Sequence, residues 1–586
     1  MKLFTRNDSA LIPPALLRRT DLAAFANLPH AYRNPDRDLA EPEAVRARLE
    51  ALNHQPERLL EDARHLLAGY NLQRLRPEKR EALTRQILQS VYPLVARIHE
   101  KSRDGASSLP ESPSRREQLT AAIGVVEQLA IAWKHLFRET WHREARRYRK
   151  QRDATYRHAF RVLEMLFLEQ RLRALRFQKL PRNAWVDVNH VFFAQILHDD
   201  IEALLPLTGF VGLRRRSGRS GTSAQPQASL QRLYVSIQLF GVLDVSSWPT
   251  RLFAVPDAYL DSLDTGITLR RDDGEPLAPG SLITWLNRDA SPAFERPSVL
   301  AEPALQLDYT AFYNRLVQDY ETIAEMRFLD SFDPRRISTP LRRLEDEDRV
   351  PVLQLMLGAL RKRERRWRRH AVVGENHIPV WFGLGEVVAR LQETAVPEWR
   401  HRLRSREFRE AMGQAGKLAL GDAGGETGGR WQLVNFSAGG ILISAIDGAF
   451  GQPVVLGQLV AFLPSNEAEA PAVGYVCRLN RPQDRVVEVG ITRLATEAEM
   501  GILEIPAAQG PVPILTMLLH DQDGGWYALC EPDDRLQPGL PLKLQRAGST
   551  HPARLGELYL SKPEFNVFVL RSPGLGEGSR QKGEVR

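Results

Sequence analysis

Arg365 and Arg369 stand four apart in RERRWRRH (363–370), and Asn435, Ser437 and Gly440 stand in NFSAGG (435–440) with the spacing NxSxxG. These two groups hold the side chains best suited to gripping a ligand. Arginine's planar fork matches two phosphate oxygens or the O6/N7 edge of a guanine, and the guanidinium can stack on a base. Two such side chains can close over one ligand, each charge-assisted contact contributing roughly 1.5–3 kcal/mol. Arg366 and Arg368 offer the same chemistry if the register is shifted by one. Blander readings stand beside these: a charge run is commonly a solvated helix end, and an Asn/Ser/Gly cluster is commonly a hairpin turn.

Signatures of catalysis are missing. GQAGKLAL (413–420) has the wrong glycine spacing for a phosphate loop, and Leu418 occupies the place of a Mg²⁺-binding hydroxyl. Neither HExxH nor GxSxG occurs. His198-Asp199-Asp200 and His520-Asp521 put histidine beside carboxylate, which helix ends and turns do routinely. The chain reads as a binding protein with no enzymatic centre and no cofactor beyond its ligand.

The elements that must position these residues follow from the composition of 586 residues, 43% hydrophobic and 26% charged, which suits a globular chain of several domains. Two cysteines, Cys477 and Cys530, provide neither a disulfide framework nor a four-cysteine zinc site, and fit a reducing cytoplasm. No apolar run is long enough for a transmembrane helix, and the first residues lack the apolar core of a signal peptide. These features predict a cytoplasmic protein.

The net charge of +8 is concentrated. Residues 134–179 carry a local +9 and residues 361–370 a local +6, so the rest of the chain is about −7. That distribution argues against nucleic acid as the general partner, for which basicity should spread over a contact face. A basic helix face at 134–179 keeps nucleic acid, an anionic surface or an acidic protein as alternatives.

The organisation predicted is multi-domain α + β. Residues 1–345 read as a mainly α-helical region with a flexible loop at 214–229, including helices near Leu230–Val242 and Asp308–Met326. The aromatic stripe Trp133, Phe137, Trp141, Tyr148, Tyr156, Phe160 and Phe167 recurs at helical spacing and reads as core. Residues 346–500 open with a helical approach, Asp348–Arg369, and continue into a small antiparallel β-barrel. That barrel is interrupted by a helical segment and Gly-rich loop at about 385–429. Residues 505–572 form a second small barrel-like domain, and 573–586 a disordered tail.

The Arg365/Arg369 pair, the strand-like HIPVWFGL after it, the NxSxxG turn, and the runs QLVAFLP, VGYVCRL and VEVGITRL come in an order that resembles the PilZ domain. PilZ domains are small bacterial β-barrels that bind the second messenger cyclic di-GMP, and the resemblance spans about 350–497. It implies a ligand set of Arg365, Arg369, Asn435, Ser437 and Gly440, with Arg366 and Arg368 as substitutes. Asn435 would present its amide to a guanine edge. Ser437 would bond the ligand or fix the turn, and Gly440 would allow close backbone approach. The resemblance further implies a non-catalytic effector that signals to an unidentified protein partner through the helical region and adjusts motility, pili or biofilm formation.

One departure stands out. Arg365 and Asn435 are 70 residues apart, more than twice the family's usual gap. A lengthened surface loop costs only slowly growing entropy, but the insertion could also cover the ligand face. A degenerate PilZ-like scaffold that binds proteins without nucleotide is therefore the second reading. EALTR (81–85) matches the opening motif of the EAL cyclic di-GMP phosphodiesterases, but their further metal-binding carboxylates are not found, so it reads as helix.

Overall fold

The computed structural model describes Phe25, residues 28–31, and residues 41–572 except 104–107, 110–111, 145–151, 197–200, 209–226, 262–266, 273, 297–302, 330, 362–367, 396–428, 447–452, 465–469, 484, 507–509, 521–524 and 547–548. The chain divides into two compact units, residues 1–106 with 111–363, and residues 107–110 with 364–586. The tail at 573–586, Tyr148, His198-Asp199-Asp200, Asp521 and GQAGKLAL lie outside the described residues, as does the expected loop at 214–229 up to residue 226.

Proline punctuates the start of the helical unit. The helices α1 (Pro42–Ala51), α2 (Pro56–Asn71), α3 (Pro77–Arg103) and α4 (Pro113–Glu144) each open on proline. Its fixed φ suits the first turn, and its missing N–H would find no intrahelical partner there. After β1 (Ser108–Leu109), treated below, come α5 (Arg152–Ala174), α6 (Ala184–Ile196), the two-residue pair β2 (Leu205–Pro206) and β3 (Gln227–Ala228), and α7 (Leu230–Val242). Ser229 caps α7, its hydroxyl accepting from the Arg232 N–H at 3.2 Å. A short helix α8 (Ala254–Asp261) leads to an antiparallel sheet in the order β4 (Thr268–Arg271), β6 (Ala304–Asp308), β5 (Ser281–Trp285). The unit ends with α9 (Thr310–Phe328) and α10 (Asp346–Ala359). Of the aromatic stripe, Trp133, Phe137, Tyr156, Phe160 and Phe167 are buried in the core.

Among the described residues of the basic run at 134–179, several cations point into the helical unit. Lys134 is buried with its Nζ 2.5 Å from the Asp187 carboxylate. Arg171 is buried with its guanidinium 4.1 Å from the Phe167 ring centroid. Arg176 is buried and donates to Thr120 Oγ1 at 2.9 Å. Arg161 pairs with Glu164, and Arg173 with Glu127 and Glu169. Of the fourteen basic side chains in this run, Lys134, Arg161 and Arg173 are thus paired with carboxylates and Arg171 and Arg176 are buried, while those of Arg143, Arg146, Arg147, Arg149, Lys150 and Arg152 lie outside the described residues. Glu81, the first residue of EALTR, lies 3.5 Å from His158 Nε2 and 2.5 Å from Arg85. Interaction with the His158 imidazole holds its carboxyl down to about 2. It is a structural residue.

Burial also sets the acid limit of this unit. His135 is buried, and desolvation with the neighbouring Arg80 and Arg138 cations pushes its imidazole down to about 3. An unfolded histidine takes up a proton near 6.5, so the unfolded state binds more protons between there and about 3. Stability should fall across that window as pH is lowered. Far-UV circular dichroism of an acid titration should show the helical transition, and His135→Leu should shift it to lower pH.

The second unit begins differently from expectation. Helix α10 stops at Ala359 rather than continuing to Arg369. Between Leu360 and Trp367 no apolar side chain is available to bury, and like charges at i,i+3 and i,i+4 repel. The chain then forms β7 (His370–Ala371), β8 (His377–Phe382), α11 (Leu384–Thr394), β9 (Gly429–Ser437), β10 (Gly440–Ile446), β11 (Val454–Val455), β12 (Leu459–Phe462), β13 (Ala472–Gln483) and β14 (Val486–Ala495). Antiparallel pairing runs β8-β9-β10-β14-β13-β12 and back to β8, closing a six-stranded barrel. The two-residue β1 pairs with β11.

A second closed six-stranded barrel follows: β15 (Glu497–Ile505), β16 (Val512–His520), β17 (Trp526–Cys530), β20 (Phe565–Arg571), β19 (Ser549–Lys562) and β18 (Pro541–Arg546), in that spatial order. Its first strand starts at Glu497, inside the 346–500 span assigned to the first barrel, because RLATEAEMGILEI holds no turn residue at the junction. The overall class is therefore α + β: a helical N-terminal region followed by two closed antiparallel barrels.

Helix α11 explains how the first barrel tolerates its insertion. Leu384, Val387, Val388 and Leu391 lie on one stripe, at the i, i+3, i+4, i+7 spacing of an amphipathic helix. Val387, Val388 and Leu391 share one buried cluster with Leu459, Ala461 and Val473 of the first barrel and Ile502, Met517 and Phe565 of the second. The first helix of the insertion thus fills the joint core of the two barrels. The rest of the 385–429 segment, to residue 428, lies outside the described residues. No helix among the described residues is long and apolar enough to cross a membrane.

Candidate functional site

Strands β9 and β10 are joined by the two-residue turn Ala438-Gly439, closed by the Ser437–Gly440 pair. Three contacts fix this turn. The Ser437 hydroxyl donates to the Gly440 carbonyl at 3.3 Å, the Arg493 backbone N–H donates to the Gly439 carbonyl at 3.0 Å, and the Arg493 guanidinium donates to the Ala438 carbonyl. Gly440 has φ +154°, and a Cβ there would stand 2.1 Å from the Ile491 carbonyl oxygen across the β10–β14 pair. Only glycine lets β14 approach this closely.

A β-bulge aims the site. Leu442 pairs with Asn435 but Ile443 pairs with Leu433, so Val434 is the extra residue. Without it, alternation would place Asn435 on the core side with the buried Trp431 and Leu433. The bulge instead puts Asn435 with the half-exposed Leu442, and Ser437 follows two positions on, on the same outer face. Asn435, Ser437 and Gly440 are all partly solvent-accessible.

The arginine segment arrives at this spot by backbone pairing. His370 pairs with Phe436 and Ala371 with Asn435, and the Val372 N–H donates to the carbonyl of the bulge residue Val434 at 3.1 Å. Arg369, exposed, is the residue before that ladder, and one further step in its register leads to Ser437. By alternation Arg369 shares the face of Ala371, Asn435 and Ser437. On the opposite face the His370 imidazole stacks on the Phe436 ring, centroids 5.5 Å apart and planes at 28°. Arg368 is exposed too, while Arg365 and Arg366 lie outside the described residues.

The structure therefore brings the backbone of Arg369 beside the Asn435–Ser437 strand end, 66 residues from Asn435 in sequence. It assigns Gly440 a steric duty and Ser437 a bond to the turn, leaving the Asn435 amide and the arginine head group as the parts available to a ligand. Sequence reasoning missed Arg493, the Val434 bulge and the His370–Phe436 stack. A bulge leaves no mark in residue types, and Arg493 is one arginine among many until β14 is paired with β10.

Elsewhere, the His520 ring lies tilted against Trp526 with centroids 4.7 Å apart, and Cys530 is buried in the second barrel, where desolvation pushes its thiol up to about 12. Among the described residues no cluster of three or more His, Cys, Asp or Glu side chains is placed to hold a metal ion.

Comparison with known proteins bears on the other unit. Residues 43–272 match the family model described as the N-terminal domain of the cyclic-di-GMP receptor FimW. The match falls within the helical unit and stops short of both barrels. No curated protein matches the chain, and no solved structure does.

Proposed function

We propose that this protein is a non-catalytic cyclic di-GMP receptor whose ligand is held on the first barrel by Arg365, Arg369, Asn435, Ser437 and the turn at Gly440. The observation that carries this reading is the pairing of His370-Ala371 with Phe436-Asn435, because Arg369 is the next residue in that register. The barrel's closed six-strand order agrees with the PilZ resemblance, and the likeness of residues 43–272 to a cyclic-di-GMP receptor's N-terminal domain supports the same ligand from an independent part of the chain.

The ligand's two phosphodiesters and two guanines match what this face offers: arginine forks for phosphate or the O6/N7 edge, and the Asn435 amide for a base edge. The division between the two compact units falls between Arg363 and Glu364, immediately before Arg365. The ligand can shift the protein between states only by preferring one of them. An unidentified partner protein reads the result in the cytoplasm, with motility, pili or biofilm formation as the controlled process.

Hydrogen–deuterium exchange of the full chain tests the placement. Added cyclic di-GMP should slow exchange at 368–371 and 435–440. Protection confined to other segments would remove the site from this face.

A further inference from the structure

The turn that carries the candidate ligand groups is held from behind by one side chain to which no role has been assigned. Arg493 lies on β14, one residue beyond the Gly440–Thr492 pair. Alternation puts it with Ile491, which is buried, on the side away from Thr492 and Gly440. From there it takes the carbonyls of both central turn residues, Gly439 through its backbone N–H and Ala438 through its guanidinium. With the Ser437 hydroxyl on the Gly440 carbonyl, three successive acceptors in the turn have fixed partners. A two-residue turn of Ala and Gly has little side-chain packing of its own to define it, so these bonds set its shape.

We infer that Arg493 is a positioning residue for cyclic di-GMP binding, acting through the Ala438-Gly439 turn and not by touching the ligand. The inference rests on the proposed receptor function. A preordered turn spares the ordering cost at the moment of binding, so losing the guanidinium should weaken affinity while leaving every ligand-facing group in place. The backbone N–H of residue 493 survives any substitution except proline, so the β14 pairing stays intact.

Arg493→Met and Arg493→Lys, titrated with cyclic di-GMP beside the wild-type full chain, test this. Methionine keeps the length and loses the donor; lysine keeps a donor able to reach the Ala438 carbonyl. The methionine variant should bind about tenfold more weakly, on the scale of one lost hydrogen bond, and amides 438–440 should exchange faster in the ligand-free protein. Lysine should recover most of both. The methionine deficit should persist at roughly 0.5 M salt, where a purely long-range charge effect is screened. Wild-type affinity with unchanged turn exchange in Arg493→Met overturns the inference, as does a deficit that disappears in high salt. A wild-type protein that binds no cyclic di-GMP overturns the receptor reading itself, and is distinguished by failing before any variant is compared. If Arg493→Met does not fold, Arg493→Gln, which keeps an amide donor without charge, decides: affinity close to wild type supports turn-holding, and a full tenfold loss overturns it.

Discussion

Replacing Arg365 and Arg369 together by alanine should lower the affinity for cyclic di-GMP by roughly 100- to 20,000-fold. In the proposed site each arginine would make a charge-assisted contact of roughly 1.5–3 kcal/mol to phosphate or a guanine edge, and about 1.4 kcal/mol corresponds to a factor of ten. Arg369→Ala alone should cost roughly 10- to 150-fold on the same scale. Arg369 is exposed at the entry to β7, so its removal should change stability by no more than about 0.5 kcal/mol. Isothermal titration beside a thermal melt separates the two effects. Arg368→Ala is the internal comparison. Alternation places residue 368 away from Asn435 and Ser437, so its loss should cost far less. An Arg368 effect as large as that of Arg369 would mean that the register is shifted by one.

The second large effect is expected at Gly440. Alanine there would put a Cβ 2.1 Å from the Ile491 main-chain oxygen, and 3.2 Å from the Thr492 Cα. Neither atom is the free end of a flexible side chain, so the β10–β14 pair must open or shift. Overpacking of ordinary cores costs about 1–3 kcal/mol, and a clash with the backbone of the paired strand should lie at or above the upper end. Since a chain of several domains does not unfold in two states, the loss is best followed locally. Hydrogen exchange in β10 and β14 of Gly440→Ala should accelerate strongly, and cyclic di-GMP binding should be lost with it. Ser437→Ala makes the contrast. It removes one 3.3 Å hydrogen bond within the turn, about 0.5–1.5 kcal/mol, and should leave the barrel folded.

The sequence carries the barrels more plainly than the site. Short β-favouring runs separated by turn residues give most strands their positions, and the helical composition of the N-terminal region gives its class. Boundaries without punctuation are where reading fails: β14 and β15 meet with no turn residue between them, and the arginine octamer continues a helical composition after α10 has ended. The fate of the 134–179 charge is equally invisible in one dimension. Lys134 looks like any surface lysine until α6 brings Asp187 within 2.5 Å. At the site, residue types and spacing show Arg369 and NxSxxG, but their meeting depends on β7, a two-residue strand too short to leave a pattern, and on the Val434 bulge that turns Asn435 out of the core. Strand β7 depends on partners 64 and 66 residues away, and the bulge on an irregular register within the β9–β10 hairpin.

The insertion that raised the protein-scaffold alternative is partly explained by packing. Its first helix, α11, is buried between the barrels, so that portion serves the core and not the ligand face. What decides between receptor and scaffold is the ligand itself. The most direct measurement is isothermal titration of the folded, full-length wild-type protein with cyclic di-GMP. Saturable heat with micromolar or tighter affinity is expected. A folded sample that gives no heat over that range would contradict it.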